Sequence, residues 1–410
     1  MPAAETNYRR TERNLMKTID IIPSKSDAHR ALICSALSEN PCRVVCSAGS
    51  EDIEATENCL AALKEGREEM RCRESGSTLR FLLPVMGALG HKAAFYPEGR
   101  LPDRPLSPLY EQLEAHGCRL SPKGSVPFVI EGQLKAGDYW LPGNVSSQYI
   151  SGFLFALPLL QGDSRICIEG ELESRGYVNM TRKVLTDFGI VTEETDFGYT
   201  IPGGQKYCGP EVYRVEGDWS NACFWLAAGA FLEDGICVRG LSADSLQGDR
   251  EIVSLLSRFG AKVKAEENQV TVQKGRLRGI EIDARQIPDM VPILSVVACG
   301  AEGKTVIRGA QRLRMKESDR LETICQVLRG LGAGIEEISD GLVIEGGGFL
   351  NGGKAFSYRD HRIAMMAAVV AASLFPTSLS AQDVAGAADA AELALAGETP
   401  VLDSGNTAWL

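Results

Sequence analysis

SDAHRALICSAL (26–37), STLRFLLPVMGAL (77–89), SQYISGFLFALPLL (147–160), SNACFWLAAGAFL (220–232), DMVPILSVVACGA (289–301) and DHRIAMMAAVVAASL (360–374) decide the fold. Each begins with Ser or Asp and runs on as a helix of small apolar residues. The starts lie 51, 70, 73, 69 and 71 residues apart, so one structural unit recurs along the chain. Ser and Asp suit a helix start because their side-chain oxygens accept the unpaired N–H groups of the first turn. Apolar residues on every face mean that these helices are enclosed rather than half exposed.

Between them lies a second kind of helix, amphipathic and ending near Gly: LYEQLEAHG (109–117), MTRKVLTDFG (180–189), EIVSLLSRFG (251–260) and LETICQVLRGLG (321–332). Gly there fits a left-handed cap. Paired alternating stretches follow, as in AKVKAEENQVTVQKG (261–275) and AGIEEISDGLVIEGG (333–347), which read as β-hairpins. The unit is buried helix, strand, amphipathic helix, hairpin. Three units precede Tyr213 and three follow it, and KYCGPEVYRVEGD (206–218) restarts the pattern. Two similar three-unit α/β domains predict a cleft between them, a favoured place for a ligand.

Composition narrows the function classes. Lys+Arg 43 against Asp+Glu 54 gives a net charge of −11 over 410 residues, which argues against a broad nucleic-acid surface and leaves room for a local anion pocket. The 12 cysteines form no C-x-x-C pair and meet no histidine cluster, so neither a zinc site nor a disulfide scaffold is expected. That usage suits a reducing, cytoplasmic setting. MPAAETNYRRTERN (1–14) has no apolar core behind its Arg pair and is not read as a signal peptide. The charge-free run from Ile363 is interrupted at Pro376 and reads as a buried helix, not a membrane span.

The buried helices start in or beside polar, mostly basic motifs. Free N–H groups and the positive dipole end make such starts natural anion sites. PSKSDAHR places Lys25, Ser26 and Arg30 together, with Ser26 read as the cap. ESGSTLRF adds Gly76, Ser77 as cap, and Arg80. Arg104 lies in the Pro-containing loop GRLPDRPL, and GNVSSQ contributes Ser146, Ser147 and Gln148. In the second half RMKESDR carries Lys316, Glu317 and Arg320. DHR supplies His361 and Arg362, cations that oppose the dipole of their own helix. Asp289 opens another helix, where capping is its plainest role. Taken singly each motif is an ordinary cap or ion pair; together they describe a site for phosphate and hydroxyl groups.

PSKSDAHRALI, ESGSTLRF, Arg104–Pro105, GNVSSQ, MKESDRL and YRDHRIAM stand in the order and approximate spacing of the 5-enolpyruvylshikimate-3-phosphate synthase family, which the chain resembles from about Lys17 to Gln382. The resemblance implies two domains of three βαβαββ units with the active site in the interdomain cleft. The domains would be 20–213, and 1–19 with 214–410. It implies transfer of the enolpyruvyl group of phosphoenolpyruvate to the 5-hydroxyl of shikimate 3-phosphate with release of phosphate, in the shikimate pathway. No cofactor or metal is implied, and the expected chain is a cytoplasmic monomer without nucleic-acid or membrane partners.

Carried over residue by residue, Lys25, Ser26, Arg30, Ser146, Ser147, Gln148, Ser174, Asp289 and Lys316 would hold shikimate 3-phosphate. Lys25, Gly76, Arg104, Gln148, Arg320 and Arg362 would hold phosphoenolpyruvate. Arginine suits both phosphate and carboxylate because its planar fork binds bidentately. Asp289 would take the hydroxyl proton and Glu317 would protonate the vinyl methylene and later take a proton back, with Lys25 beside them. Arg80, Tyr177 and His361 would support.

The chain also departs from the family. Glu74 stands where many members have Asn, and Arg312 where some have a substrate-contacting Asn. After AQDVA the family's Lys-Ser-Tyr/Phe-Pro gives way to GAADAAELALAGETPVLDSGNTAWL, and no Lys or Arg follows Arg362. A family lysine that contacts phosphoenolpyruvate is therefore missing, which makes an impaired anion-binding relic one alternative. The enzymatic rival is UDP-N-acetylglucosamine enolpyruvyl transferase. That family commonly has a loop cysteine near the position of Arg104, and GRLPDRPLSPL has none.

Overall fold

The structure is a computed structural model that describes residues 16–47, 49–347, 350, 353–373 and 401–402. The first half contributes helices α1 (Lys25–Leu37), α2 (Glu51–Lys64), α3 (Gly76–Leu89), α4 (Leu109–Ala115), α5 (Ser147–Ala156) and α6 (Arg175–Asp187). The second contributes α7 (Trp219–Gly229), α8 (Ile252–Phe259), α9 (Val291–Gly300), α10 (Arg320–Gly330) and α11 (His361–Ser373). Buried apolar side chains form two large clusters, one drawn from Ala31 to Tyr213 and one from Trp219 to Ala372. Two α/β domains result, as the repeat predicts.

Four four-stranded sheets repeat one topology. In the first, Glu69–Arg73 runs parallel to Ala93–Pro97, which pairs antiparallel with Phe128–Gly132, itself paired with Cys118–Leu120. Strands beginning at Asp138, Ser164, Gly198 and Glu193 repeat that order, as do those beginning at Glu281, Gly303, Gly341 and Gly334. The remaining sheet borrows its first strand from the start of the chain. Lys17–Asp20 runs parallel to Ile236–Arg239, in front of the hairpin Lys262–Glu266 and Gln269–Gln273. α8 ends at Gly260 with φ +105°, the left-handed cap its sequence calls for.

The expected buried helices all form; the sixth opens at Asp360 as expected, with its carboxylate accepting from Arg362 N at 3.0 Å, and the other starts shift by one or two residues. In the first four, Ser24, Ser75, Ser146 and Asp218 are the residues whose side chains accept first-turn N–H bonds. Ser26 and Ser77 do not cap, so their hydroxyls are left for the cleft. Asp289 is not a cap either. It sits in a 3-10 turn (Pro288–Met290) before α9, and its carboxylate is spent on side chains instead. The tail from 385 onward, apart from Val401 and Leu402, lies outside the described residues.

α3 and α5 approach closely for a reason written in both. Pro84, inside α3, has no N–H for the Arg80 carbonyl four residues back. Gly152 of α5 faces that carbonyl, and a Cβ built there would lie 2.5 Å from the Arg80 oxygen and 3.1 Å from Pro84 Cγ. This contact fixes the first turn of α3, whose side chains line the cleft.

Candidate active site

One cavity of about 1350 Å³ lies between the halves, and all the site residues expected from the sequence line it. α1 brings Lys25, Ser26 and Arg30; α3 brings Gly76, Ser77 and Arg80; the loop after Leu101–Asp103 brings Arg104. α5 and the residue before it supply Ser146, Ser147 and Gln148, and the start of α6 supplies Ser174 and Tyr177. From the opposite half come Asp289, then Lys316, Glu317 and Arg320 around the start of α10, and His361 and Arg362 at the start of α11. The walls touch across the cavity: Tyr177 donates to Asp289 Oδ2 at 2.9 Å, and Arg100 Nη1 to the Glu317 carbonyl at 3.0 Å.

The cations fall into two groups. Arg80 and Arg104 flank Gly76, and a Cβ there would lie 2.8 Å from Arg80 Nη1 and 3.1 Å from Arg104 Nη1. Arg80 is pinned by Gln148 Oε1 at 2.8 Å and the Pro105 carbonyl at 3.2 Å, and Gln148 in turn donates to Ser77 Oγ at 2.9 Å. Burial, then the neighbouring Arg104 charge, lowers Arg80 to about 10, still a cation at neutral pH. Two guanidinium groups side by side at a helix N-terminus form a strong anion site.

The second group surrounds Asp289. Arg320 Nη1 lies 2.9 Å, Lys316 Nζ 3.3 Å and Arg362 Nη2 3.7 Å from its carboxylate. Burial alone would raise its pKa, but Lys316, Arg362 and Arg320 outweigh it and hold the carboxyl well below the usual range. Glu317 behaves alike: burial opposes ionisation, while Arg320 at 2.7 Å and Arg104 at 3.7 Å enforce it. Arg320 is itself fixed by Asp360, 0% exposed, at 2.8 Å. His361 is pushed down to about 4, first by burial and then by Lys25 and Arg362, and is neutral at physiological pH.

The chain also matches known proteins. The family model for EPSP synthase (3-phosphoshikimate 1-carboxyvinyltransferase) matches residues 66–384. The chain belongs to the EPSP synthase family. A 3-phosphoshikimate 1-carboxyvinyltransferase from Clostridium kluyveri is 42% identical over 373 residues, spanning 86% of this chain and 87% of that protein. One from Clostridium perfringens (strain SM101) is 41% identical over 382 residues, 88% and 90% of the two lengths. EPSP synthase from Acinetobacter baumannii superposes with a TM-score of 0.71 at 25% identity, covering 87% of this chain and 88% of that one.

Several family-motif side chains engage protein partners that the motifs do not show. Arg30 bonds Thr181 Oγ1 at 2.8 Å, the Tyr177 carbonyl at 3.0 Å and the Ser26 carbonyl, so it ties α1 to α6. Ser174 accepts from Arg312 Nη2 at 2.7 Å. Arg312 also meets Glu173 at 2.6 Å, an ion pair buried on both sides that joins the two halves. Asp52 escaped the sequence reading together with α2. Its carboxylate lies 2.7 Å from Lys25 Nζ and is held to about 2: burial opposes this, and Lys25 prevails. The signal was present, since Ser50 caps EDIEATENCLAALK, which buries Ile53, Cys59 and Leu60 at helical spacing. Among the described residues no cluster of His, Cys, Asp and Glu is suited to a metal.

Proposed function

We propose that this cleft adds the 5-hydroxyl of shikimate 3-phosphate to C2 of phosphoenolpyruvate and then eliminates phosphate, the reaction named in the family and in its relatives. The carrying observation is the convergence of Lys25, Arg80, Arg104, Arg320 and Arg362 on a cavity that also holds two ionised carboxylates, Asp289 and Glu317. Each substrate brings a phosphate of about −1.5 to −2 plus a carboxylate, and such a pair requires several cations. Phosphoenolpyruvate sits on Arg104, Arg320, Arg362, Lys25, Gln148 and the backbone at Gly76. Shikimate 3-phosphate sits on Lys25, Ser26, Arg30, Ser146, Ser147, Gln148, Ser174, Asp289 and Lys316.

Asp289 accepts the hydroxyl proton as the C2–O bond forms, and Glu317 delivers one to C3. Glu317 then takes a proton from the new methyl group while the C2–O bond to phosphate breaks. Glu317 is a carboxylate while Arg320 and Arg104 face it. Phosphoenolpyruvate on those same arginines competes for their charge and raises the proton affinity of Glu317 when it is needed.

The two core clusters support a domain division near Tyr213, with the strand Lys17–Asp20 joining the second domain. A cleft completed within one chain supports a monomer. Among the described residues, which include all 12 cysteines, no disulfide forms, and no helix is long and apolar enough to cross a membrane. The free thiols support a cytoplasmic location. Phosphate release with phosphoenolpyruvate plus shikimate 3-phosphate, repeated with UDP-N-acetylglucosamine as acceptor, tests the assignment. Release is expected only with shikimate 3-phosphate, and release only with the sugar nucleotide would overturn it.

A further inference from the structure

Arg312 lies in the 3-10 turn Gln311–Met315, which leads into Lys316 and Glu317, and it lines the cleft although it is only 9% exposed. Its guanidinium is shared among three partners. Nη2 donates to Ser174 Oγ at 2.7 Å and to the Arg285 carbonyl at 3.1 Å, and Nε lies 2.6 Å from Glu173 Oε2. Ser174 has φ +55° and ψ 39°, a left-handed conformation that a residue with a side chain keeps only when its surroundings enforce it. The enforcing bonds come from the other half of the molecule. Ser174 N donates at 3.2 Å to the same Arg285 carbonyl, while Gln286 accepts from Arg175 N at 2.9 Å and donates to the Leu172 carbonyl at 2.9 Å.

This geometry decides what Ser174 offers a ligand. Its side chain does not cap α6, and among the described residues its hydroxyl hydrogen goes to no protein acceptor. The oxygen already takes an N–H from a cation, so what remains for the cleft is an O–H donor polarised by the charge behind it. A phosphate, whose oxygens accept, is the group that such a donor suits.

We propose that Arg312 is a positioning residue for the acceptor's phosphate: it holds Ser174 Oγ from the opposite half so that the hydroxyl donates to that phosphate, and it thereby sets the preference for the phosphorylated acceptor over the unphosphorylated one. The inference rests on the reading of shikimate 3-phosphate as acceptor with Ser174 among its partners. Glu173 balances the buried guanidinium and fixes the plane of its fork. A flexible lysine ammonium at this position would not hold three oxygens in one plane, so the task calls for arginine.

The test compares calorimetric affinity for shikimate 3-phosphate with that for shikimate in the full chain. Ser174→Ala and Arg312→Met should each weaken shikimate 3-phosphate binding about tenfold or more and leave shikimate binding as in the wild type. Combining the two should cost no more than the larger single loss, because both remove the same contact. Arg312→Met leaves Glu173 buried without its partner. Should that variant fail to fold, Glu173→Met with Arg312→Met replaces the pair by apolar side chains of similar size and is read in the same way. Equal losses for the two ligands in the Arg312 variant, or additive losses when it is combined with Ser174→Ala, would make Arg312 a structural residue only and overturn the proposal. An unchanged preference in Ser174→Ala overturns it as well. A wild-type preference in Arg312→Met beside a reduced one in Ser174→Ala refutes Arg312 alone, whereas a wild-type protein that does not bind shikimate 3-phosphate refutes the acceptor reading itself.

Discussion

Lys25 and Arg362 carry the most directly testable charges in the cleft. Lys25 Nζ rests on Asp52 at 2.7 Å, and Arg362 lies 3.7 Å from Asp289, so both are held in place before substrate arrives. Lys25→Ala and Arg362→Ala should each lose tenfold or more in kcat/KM with a native circular dichroism spectrum, since a hydrogen bond to a charged group contributes about 1.5–3 kcal/mol. Unchanged kinetics in both would contradict the anion site. A second prediction concerns His29, 1% exposed and bonded through Nδ1 to Thr56 Oγ1 at 2.8 Å. Burial pushes it down to about 3, so below pH 6.5 the unfolded chain binds a proton that the native chain refuses. The stability this histidine permits is complete above 6.5 and declines as pH falls toward 3, by roughly 1.4 kcal/mol per pH unit. His29→Gln should flatten the urea-unfolding midpoint between pH 6 and 4 relative to wild type; an identical slope would contradict it. At this scale the basic motifs were legible because they are contiguous. The caps were displaced because Ser24 competes with Ser26, and Ser75 with Ser77, and only backbone geometry decides between them. Asp52 was not legible as a site residue, because its role depends on Lys25, 27 positions away in the chain.

Among the helices, the α3–α5 crossing shows how packing serves the site. Gly152 meets the carbonyl that Pro84 leaves unpaired, and the same residue, Arg80, sends its side chain to Gln148. Gly152→Ala should cost about 1–3 kcal/mol in urea unfolding, the usual range for overpacking, and should weaken phosphoenolpyruvate saturation by shifting Arg80. Wild-type stability with wild-type saturation would mean that the crossing has slack the structure does not show. The buried helices were readable from their spacing and apolar faces, and so were the hairpins ending the fourth and fifth units. α2 was missed as an element although its pattern is regular. The first strand of the fourth sheet could not be assigned to its partner from pattern alone, because Lys17–Asp20 lies far along the chain from Ile236–Arg239.

Across the whole molecule, the family match and the family-like sequence stop together: the matched region ends at residue 384, and the last cation is Arg362. The partners proposed for shikimate 3-phosphate, from Lys25 to Lys316, all precede that point, so its calorimetric affinity should be ordinary. The lysine that the resemblance assigns to phosphoenolpyruvate is absent, and losing one charge-assisted contact costs about 1.5–3 kcal/mol, so saturation with phosphoenolpyruvate is predicted to be weak. Restoring Lys-Ser-Tyr-Pro from Gly386 onward should recover activity tenfold or more, whereas ordinary saturation with the natural tail would show that another cation has taken the role. Whether one interdomain cleft joins these two substrates is read by phosphorus NMR of the full chain mixed with both. The phosphoenolpyruvate and shikimate 3-phosphate signals should decline together while inorganic phosphate and one new phosphomonoester grow in equal amounts. Unchanged signals at high phosphoenolpyruvate, with shikimate 3-phosphate demonstrably bound, would contradict it.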